Sequence, residues 1–127
     1  MLRDRILARD DKGVYTVFHQ SQILYAFYVG DAGPPDIPAV RAGSVEQDPG
    51  VHIRTKTGTY LTKYRSLVRL RNALNLAHLV PINQSVVVNL DQILKIDPSR
   101  RKVGVALAGG ELEWLSVSRR YYRFLQR

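Results

Sequence analysis

Hydrophobic residues near the amino terminus follow the pattern of β-strands. Residues 5–9 form a short apolar segment, residues 14–18 are rich in β-branched and aromatic side chains, and a polar turn ending in Gly13 separates them. This pattern predicts a β-hairpin. A further aromatic run at residues 23–29 predicts a third strand. We therefore expect a sheet to begin here.

Residues 30–50 interrupt the pattern with repeated proline and glycine. Proline removes backbone donors and glycine raises the entropy cost of order, so neither a strand nor a helix is favoured. We expect a long insertion loop. Neither flank is long enough to fold alone, and 127 residues suit one domain, so residues 1–127 are expected to form a single unit.

Strict alternation resumes at residues 51–56, and a Thr57-Gly58 turn leads to a second run at residues 59–64. A second hairpin is predicted. The two expected faces of its first strand are Val51, Ile53 and Thr55 on one side and His52, Arg54 and Lys56 on the other.

The period changes after Ser66, which suits the first position of a helix. Leu67, Leu70 and Leu74 then recur at helical spacing, so a helix of two to three turns is predicted. The residues expected on its outer face are Arg69 and Arg71.

The last third returns to strands, with Gly109-Gly110 as a tight turn and Ser118 as the start of a final helical segment at residues 119–127. The predicted strands are residues 79–82, 93–97, 102–107 and 111–117. The whole pattern predicts a β-dominated α+β fold of mostly antiparallel strands, with one short internal helix and a short C-terminal helix.

Charge divides the chain into two unequal parts. Residues 1–50 hold five Lys/Arg and seven Asp/Glu, whereas residues 51–127 hold fourteen and four, within a net charge of +8. The net charge is thus −2 in the first part and +10 in the second. A basic region of this kind is typical of a polyanion-binding surface, although charge alone does not separate it from an ordinary solvated one.

Composition limits the other function classes. The chain has no cysteine, which excludes disulfides, thiolate nucleophiles and Cys-ligated zinc. Its start does not resemble a signal peptide, and no apolar run approaches the ~20 residues of a membrane helix. The three histidines lie far apart, with no metal-ligand spacing. We expect a cytoplasmic protein without membrane contact, cofactor, metal or enzymatic activity.

Basic or amide side chains gather in three clusters near strand ends and loops. Amides can pair with adenine edges, arginine with guanine, and arginine or a helix N-terminus with phosphate. The clusters are His52, Arg54 and Lys56 with Lys63 and Arg65; then Asn83, Gln84 and Ser85; then Ser118, Arg119 and Arg120, with Arg123 further along. Each cluster alone is more typical of a solvated surface, and it is their joint placement in one half of the chain that favours binding.

Three motifs resemble the LytTR family of DNA-binding domains. Residues 79–93 are similar to its central signature, aromatic-x-Arg-x-His-Arg-Ser followed by apolar residues, an Asn and a link to Ile. Residues 51–56 and 65–67 resemble its strand pair and helix start, and residues 115–121 its closing Leu-Pro-Val-Ser-Arg-Arg-Tyr. The motifs stand in the family's order, and the resemblance covers residues 51–127 well and the first 29 residues loosely.

The resemblance implies a sheet-built domain that places loops in successive major grooves, as in bacterial transcription regulators. It implies base and phosphate contacts from residues 83–85, from residues 118–120 and from residues 50–52. It also implies paired repeats bound by dimers, and a receiver or sensor partner in the same regulatory system. The residues expected at DNA are His52, Arg54, Lys56, Lys63, Arg65, Asn83, Gln84, Ser85, Ser118, Arg119, Arg120 and Arg123.

This chain departs from the family pattern at the central motif. Asn83-Gln84 stands where the family has His-Arg, Pro81 replaces an arginine, and Gly50 offers no side chain. Fewer charges predict a shallower dependence of DNA affinity on salt. The departures leave open a second hypothesis, a protein-interaction module with weakened DNA binding. RNA binding finds less support, because no aromatic stacking motif stands out.

Overall fold

The computed structural model describes residues 4–41, 48–74 and 78–125. These residues form mostly short strands with a few short helices. The elements are β1 Arg5–Arg9, β2 Tyr15–His19, β3 Tyr25–Val29, α1 Pro38–Arg41, β4 Gly50–Arg54, β5 Thr59–Thr62, α2 Leu67–Leu74, β6 Leu79–Pro81, β7 Val86–Asn89, β8 Ile93–Asp97, β9 Lys102–Ala106, β10 Leu112–Ser116 and α3 Arg119–Leu125.

The strands form two antiparallel sheets. The large sheet has seven strands in the order β2-β1-β5-β4-β3-β7-β6, and the small sheet has three in the order β10-β9-β8. Both predicted hairpins are present, since β1 pairs with β2 and β4 with β5. The predicted β-dominated α+β fold is therefore confirmed.

The large sheet is covered on both faces over its central strands. On one face, Leu70 and Leu74 of α2 join an apolar cluster with Ile53. On the other, Phe27 packs in a second cluster with Val105 of the small sheet. Each fully buried side chain of this size contributes roughly 1.5–3 kcal/mol through removal of apolar surface from water. The central strands are thus held between two cores.

The internal helix α2 forms as predicted. The Ser66 hydroxyl accepts the Arg69 backbone N–H at 3.1 Å, which satisfies one of the free donors at the helix start. Leu70 and Leu74 are buried and Arg69 is exposed. Arg71 differs from the prediction: it is only partly exposed, with its Nε buried.

Two segments differ from the sequence prediction. Residues 86–89 form β7, a strand that the alternation rule missed because all four residues are buried and polar positions do not alternate with apolar ones. The insertion at residues 30–50 was expected to hold no regular structure, yet it contains α1, and β4 already starts at Gly50. Ala39 is buried against the second core, which stabilises α1 despite its proline-rich surroundings. Residues 42–47 of this insertion lie outside the described residues.

The C-terminal helix α3 begins at Arg119, directly after Ser118, as predicted. Tyr122 is buried on its inner side, and Arg119, Arg120 and Arg123 are exposed. The last part of the predicted segment, including Arg127, lies outside the described residues. Among the helices described, none is long and apolar enough to cross a membrane.

Candidate nucleic-acid interface

The register of the large sheet defines two ends of the molecule. Phe27 pairs with both His52 and Val86, so the segments that precede β4 and β7 lie at the same end of the sheet. Because β5 runs antiparallel to β4, the segment that follows β5 also lies there. We call this the loop end, formed by residues 30–33, 49–50, 63–66, 83–85, 98–101 and 118–120. The opposite end is formed by residues 10–13, 55–58, 90–92 and 107–110.

The small sheet is aligned with these ends by backbone hydrogen bonds. The Ser118 N–H donates to the Ile82 carbonyl at 2.9 Å, and the Val117 N–H to the Arg101 carbonyl at 2.9 Å. At the opposite end, the Ala108 N–H donates to the Lys56 carbonyl at 3.2 Å. The start of α3 and the β8–β9 turn therefore lie beside the central loop.

The central loop, residues 83–85, is braced from within. Asn83 Oδ1 accepts the Ser85 N–H at 2.9 Å, and Asn83 Nδ2 donates to the Ser116 carbonyl at 3.4 Å. The Ser85 carbonyl accepts the Tyr28 N–H at 2.9 Å, which ties the loop to β3. Gln84 at the tip is exposed. The loop therefore presents Gln84 outward, while Asn83 uses both ends of its amide to hold the loop.

The segment around Ser118 supplies backbone and charge. Its carbonyl accepts the Tyr121 and Tyr122 N–H groups at 3.1 and 2.9 Å and so begins α3. Its hydroxyl is buried without a hydrogen-bond partner among the described residues, so the expected side-chain cap is not made. The Arg120 guanidinium lies 5.8 Å from the Tyr121 ring centroid, which is within cation–π range.

Two of the three predicted clusters meet in one place. A shallow pocket of about 360 Å³ lies between the central loop and the start of α3. Amide, hydroxyl, guanidinium and phenol groups line it, and these groups can donate hydrogen bonds to phosphate and to base edges. The lining residues are Asn83, Gln84, Ser85, Ser118, Arg120 and Tyr121.

The first predicted cluster is not brought together at this surface. His52 is 1% exposed and stacks on Phe27 with ring centroids 5.3 Å apart. Its Nε2 lies 2.8 Å from the Asp48 carbonyl oxygen, and because a carbonyl only accepts, this nitrogen carries a proton. The prediction that His52 reaches DNA is wrong, since the face of β4 that carries it is covered by the second core.

Arg54 is likewise unavailable to DNA. Its Nε and Nη2 donate to the two carboxylate oxygens of Glu113 at 3.1 and 3.0 Å, and Tyr25 donates its hydroxyl to the same carboxylate at 2.9 Å. The Arg54 and Glu113 side chains are only 11% and 10% exposed. Burial raises the pKa of Tyr25 well above its ordinary value. The predicted phosphate contact at Arg54 is wrong, because this arginine joins the two sheets.

The other members of that cluster lie at different ends of the molecule. Lys63 and Arg65 are exposed at the loop end, but Lys56 is exposed in the turn at the opposite end. The expected third DNA contact, residues 50–52, also presents no exposed side chain from Val51 or His52, because both are buried. Gly50 has a φ of +132°, and a Cβ there would lie 3.2 Å from Leu61 Cδ1. Both observations explain why glycine occupies this position.

One part of this surface was not identified from sequence. The β8–β9 turn carries Arg100 and Arg101 to a position one hydrogen bond from Val117 and hence beside Ser118. The run of basic residues 100–102 is visible in the sequence. Its position is not, because the pairing of the small sheet with the central loop is long-range.

Charge also differs between the two ends. Six exposed cations cluster at the loop end and in the first turns of α3, and Asp31 is the exposed carboxylate in the described segments of the loop end. The cations are Lys63, Arg65, Arg100, Arg119, Arg120 and Arg123. At the opposite end, Lys12 and Lys56 are accompanied by the carboxylates of Asp10, Asp11, Asp91 and Glu111. Within the described ranges, no three His, Asp or Glu side chains are grouped to hold a metal ion.

Comparison with known proteins agrees with this geometry. A solved LytTr DNA-binding domain from Bacillus cereus, described as part of a methyl-accepting/DNA response regulator, is 16% identical and superposes with a TM-score of 0.64 over 97% of this chain and 94% of that one. At this identity the likeness concerns the fold. No curated protein has a significant sequence match to this chain. The model of the LytTr DNA-binding domain family matches residues 36–127, which is most of the chain, and the chain therefore belongs to the LytTr DNA-binding domain family.

Proposed function

We propose that this chain binds double-stranded DNA sequence-specifically through its loop end, as the output module of a bacterial transcription regulator. One observation carries the proposal: the central loop and the start of α3 meet in a single pocket lined by Gln84 and Arg120. Loops that project from the ends of two packed sheets can enter the grooves of a duplex while the sheets stay rigid.

The exposed cations are assigned to the phosphate backbone. Arg119 and Arg120 would contact phosphates beside the pocket, and Lys63 and Arg65 would do so at the end of β5. Arg123, one turn along α3, would add a further charge. Such contacts fix the position of the protein on the duplex but carry little sequence information.

Sequence reading is assigned to the central loop. Gln84 is its exposed amide, and an amide can pair with the N6 and N7 positions of adenine. Asn83 would act mainly by holding the loop, because its Oδ1 and Nδ2 are engaged with Ser85 and Ser116. Because this loop carries no charge, we expect it to contribute to base discrimination more than to phosphate binding.

We further propose that two copies act on paired repeats, with a receiver or sensor domain controlling them. The resemblance to the family carries this part. Sedimentation of the complex with duplexes holding one or two repeats would test it: one copy per duplex irrespective of the repeats would refute it.

A salt titration tests DNA binding itself. With contacts from Lys63, Arg65, Arg119, Arg120 and Arg123, log K should fall with log salt with a slope of about −4.5, since each phosphate contact contributes about −0.9. The measurement is fluorescence anisotropy with a labelled random duplex. Absence of binding at low salt, or affinity that does not change with salt, would contradict the proposal. Selection from a random duplex pool then identifies the preferred site, and enrichment of no sequence would contradict specificity.

A further inference from the structure

Four turns in the molecule share one hydrogen-bond pattern. In each, the N–H of the fourth residue donates to the carbonyl of the first, at 3.2 Å for Gly13, 3.0 Å for Gly33, 3.3 Å for Arg101 and 3.0 Å for Gly110. The fourth residue has a positive φ in every case. Three of these turns place glycine there, with φ of +85°, +90° and +84°, and the fourth places Arg101, with φ of +50°.

Arginine at this position is unfavourable for the fold. A left-handed backbone brings Cβ close to the following carbonyl oxygen, which glycine avoids. Arg101 is the only residue other than glycine with a positive φ in the ranges that the structure describes. Glycine would make the same turn with less strain. Backbone strain of this kind is found most often at functional sites.

The turn is held rigidly beside the DNA surface. Asp97 accepts the Ser99 hydroxyl at 2.8 Å and the Arg100 N–H at 3.3 Å, and the hydrogen bond from Ser99 lowers the pKa of this carboxyl. At its other side, the Arg101 carbonyl accepts the Val117 N–H. The turn is therefore hydrogen-bonded to the residue that directly precedes Ser118.

The two arginine side chains have little to hold them within the protein. The Arg100 side chain is 77% exposed, and its Nε lies 4.0 Å from Asp97, at the limit of an ion pair. Arg101 is half-buried, and its Nε is buried without a hydrogen-bond partner among the described residues. The Nε of Arg71 in α2 is buried in the same way, so the exposure of Arg100 and the conformation of the turn distinguish this site, and the buried Nε does not.

We propose that the β8–β9 turn is a further DNA contact, in which Arg100 and Arg101 bind phosphate groups and supply positive charge that the central loop lacks. Asn83-Gln84 leaves that loop neutral, and the turn lies beside it through Ser118 and Ile82. A phosphate offers several acceptor oxygens to the free guanidinium donors. This inference rests on the proposed function and adds a contact segment to it.

The test uses Arg101→Gly, which separates the fold from the function. Glycine removes the side chain and suits the positive φ, so the melting temperature should stay the same or rise. Affinity for duplex DNA should fall about eightfold at 0.1 M salt, and the salt slope should become shallower by about 0.9, as expected for one lost phosphate contact. A variant that binds like the parent at every salt concentration would overturn the proposal for Arg101.

Arg100→Ala provides a second variant with a matched control. Lys12 occupies the same third position of the Asp10–Gly13 turn, is also exposed and lies at the opposite end. Arg100→Ala should weaken binding about eightfold and Lys12→Ala very little. Equal losses would mean that only net charge matters and would overturn the proposal. If Arg101→Gly lowers the melting temperature, the comparison of Arg100→Ala with Lys12→Ala decides whether the β8–β9 turn contacts DNA.

Parent protein that binds no duplex at low salt would refute the proposed function and this inference with it. Parent binding that the two arginine substitutions leave unchanged would refute this inference alone. The two failures are therefore distinguishable in one set of anisotropy titrations.

Discussion

The loop end and the opposite end both contain tight turns closed at positive φ, but they carry different side chains. At the opposite end, Gly13 and Gly110 close the turns at positive φ, and carboxylates accompany the two lysines. At the loop end, one turn is closed by Arg101, and a neutral amide loop is surrounded by cations. Because the opposite end folds without these features, their concentration at the loop end is evidence for a role beyond the fold.

A second contrast lies between buried and exposed cations. Arg54 and Arg119 belong to predicted clusters of the same chemistry, yet Arg54 is fixed to Glu113 between the sheets and Arg119 is exposed. The role of a basic side chain in this protein therefore does not follow from its residue type. It depends on whether the small sheet covers that side chain.

The largest effect is expected from Glu113→Ala. It leaves the Arg54 guanidinium buried without its partner, which typically costs about 3–5 kcal/mol of the free energy of unfolding. Urea denaturation followed by circular dichroism measures the change. Arg65→Ala, at an exposed position, is the control and should change stability by less than about 0.5 kcal/mol. Equal stability of the two variants would show that the ion pair does not hold the sheets together.

Next comes the double substitution Arg119→Ala with Arg120→Ala. Loss of two phosphate contacts should weaken binding to every duplex about sixtyfold at 0.1 M salt, or about 2.4 kcal/mol. The fold should be unchanged, because both side chains are exposed. The control is Lys12→Ala plus Lys56→Ala, which removes the same charge from the opposite end. The ratio of the two losses of affinity then compares the two ends quantitatively. A similar loss of affinity in both double variants would contradict a localised interface.

Gln84→Ala should have a smaller and different effect. If Gln84 pairs with a base, its loss should reduce discrimination at one base pair by about 1–2 kcal/mol while non-specific affinity stays nearly constant. Competition between the selected site and single-base variants of that site measures this. Gln92→Ala removes an amide at the opposite end and should leave discrimination unchanged. An equal loss for all sequences in Gln84→Ala would mean that Gln84 does not read bases.

Local signals in the sequence predicted much of the fold. The hairpin at residues 5–19 followed from β-branched and aromatic residues on either side of a polar turn, and the hairpin at residues 50–62 followed from alternation and a turn. The helix α2 followed from Ser66 and the leucine spacing. These features depend on neighbours in the chain. Residues 86–89 were not predicted as a strand, because a short apolar run that is buried on both faces has no period that marks it as one.

The candidate site was predictable only in part for a related reason. Residues 83–85 and 118–120 were identified by family motifs, and the structure places them together. Alternation correctly put His52 and Arg54 on one face of β4, but it could not reveal that a second sheet covers this face. The β8–β9 turn was equally hidden, because the hydrogen bond between Val117 and Arg101 has no local signature.

The smallest effect is expected from Ser66→Ala, which asks whether every polar residue at the loop end serves DNA. Ser66 lies there, but its hydroxyl accepts the Arg69 N–H and begins α2. Removing this cap should lower the free energy of unfolding by about 1 kcal/mol. DNA affinity and its salt slope should match the parent, because the role of Ser66 lies within the helix. Thermal denaturation and anisotropy titration of the same sample measure both quantities. Weakened DNA binding at unchanged stability would instead place Ser66 among the contacts and extend the interface along the start of α2.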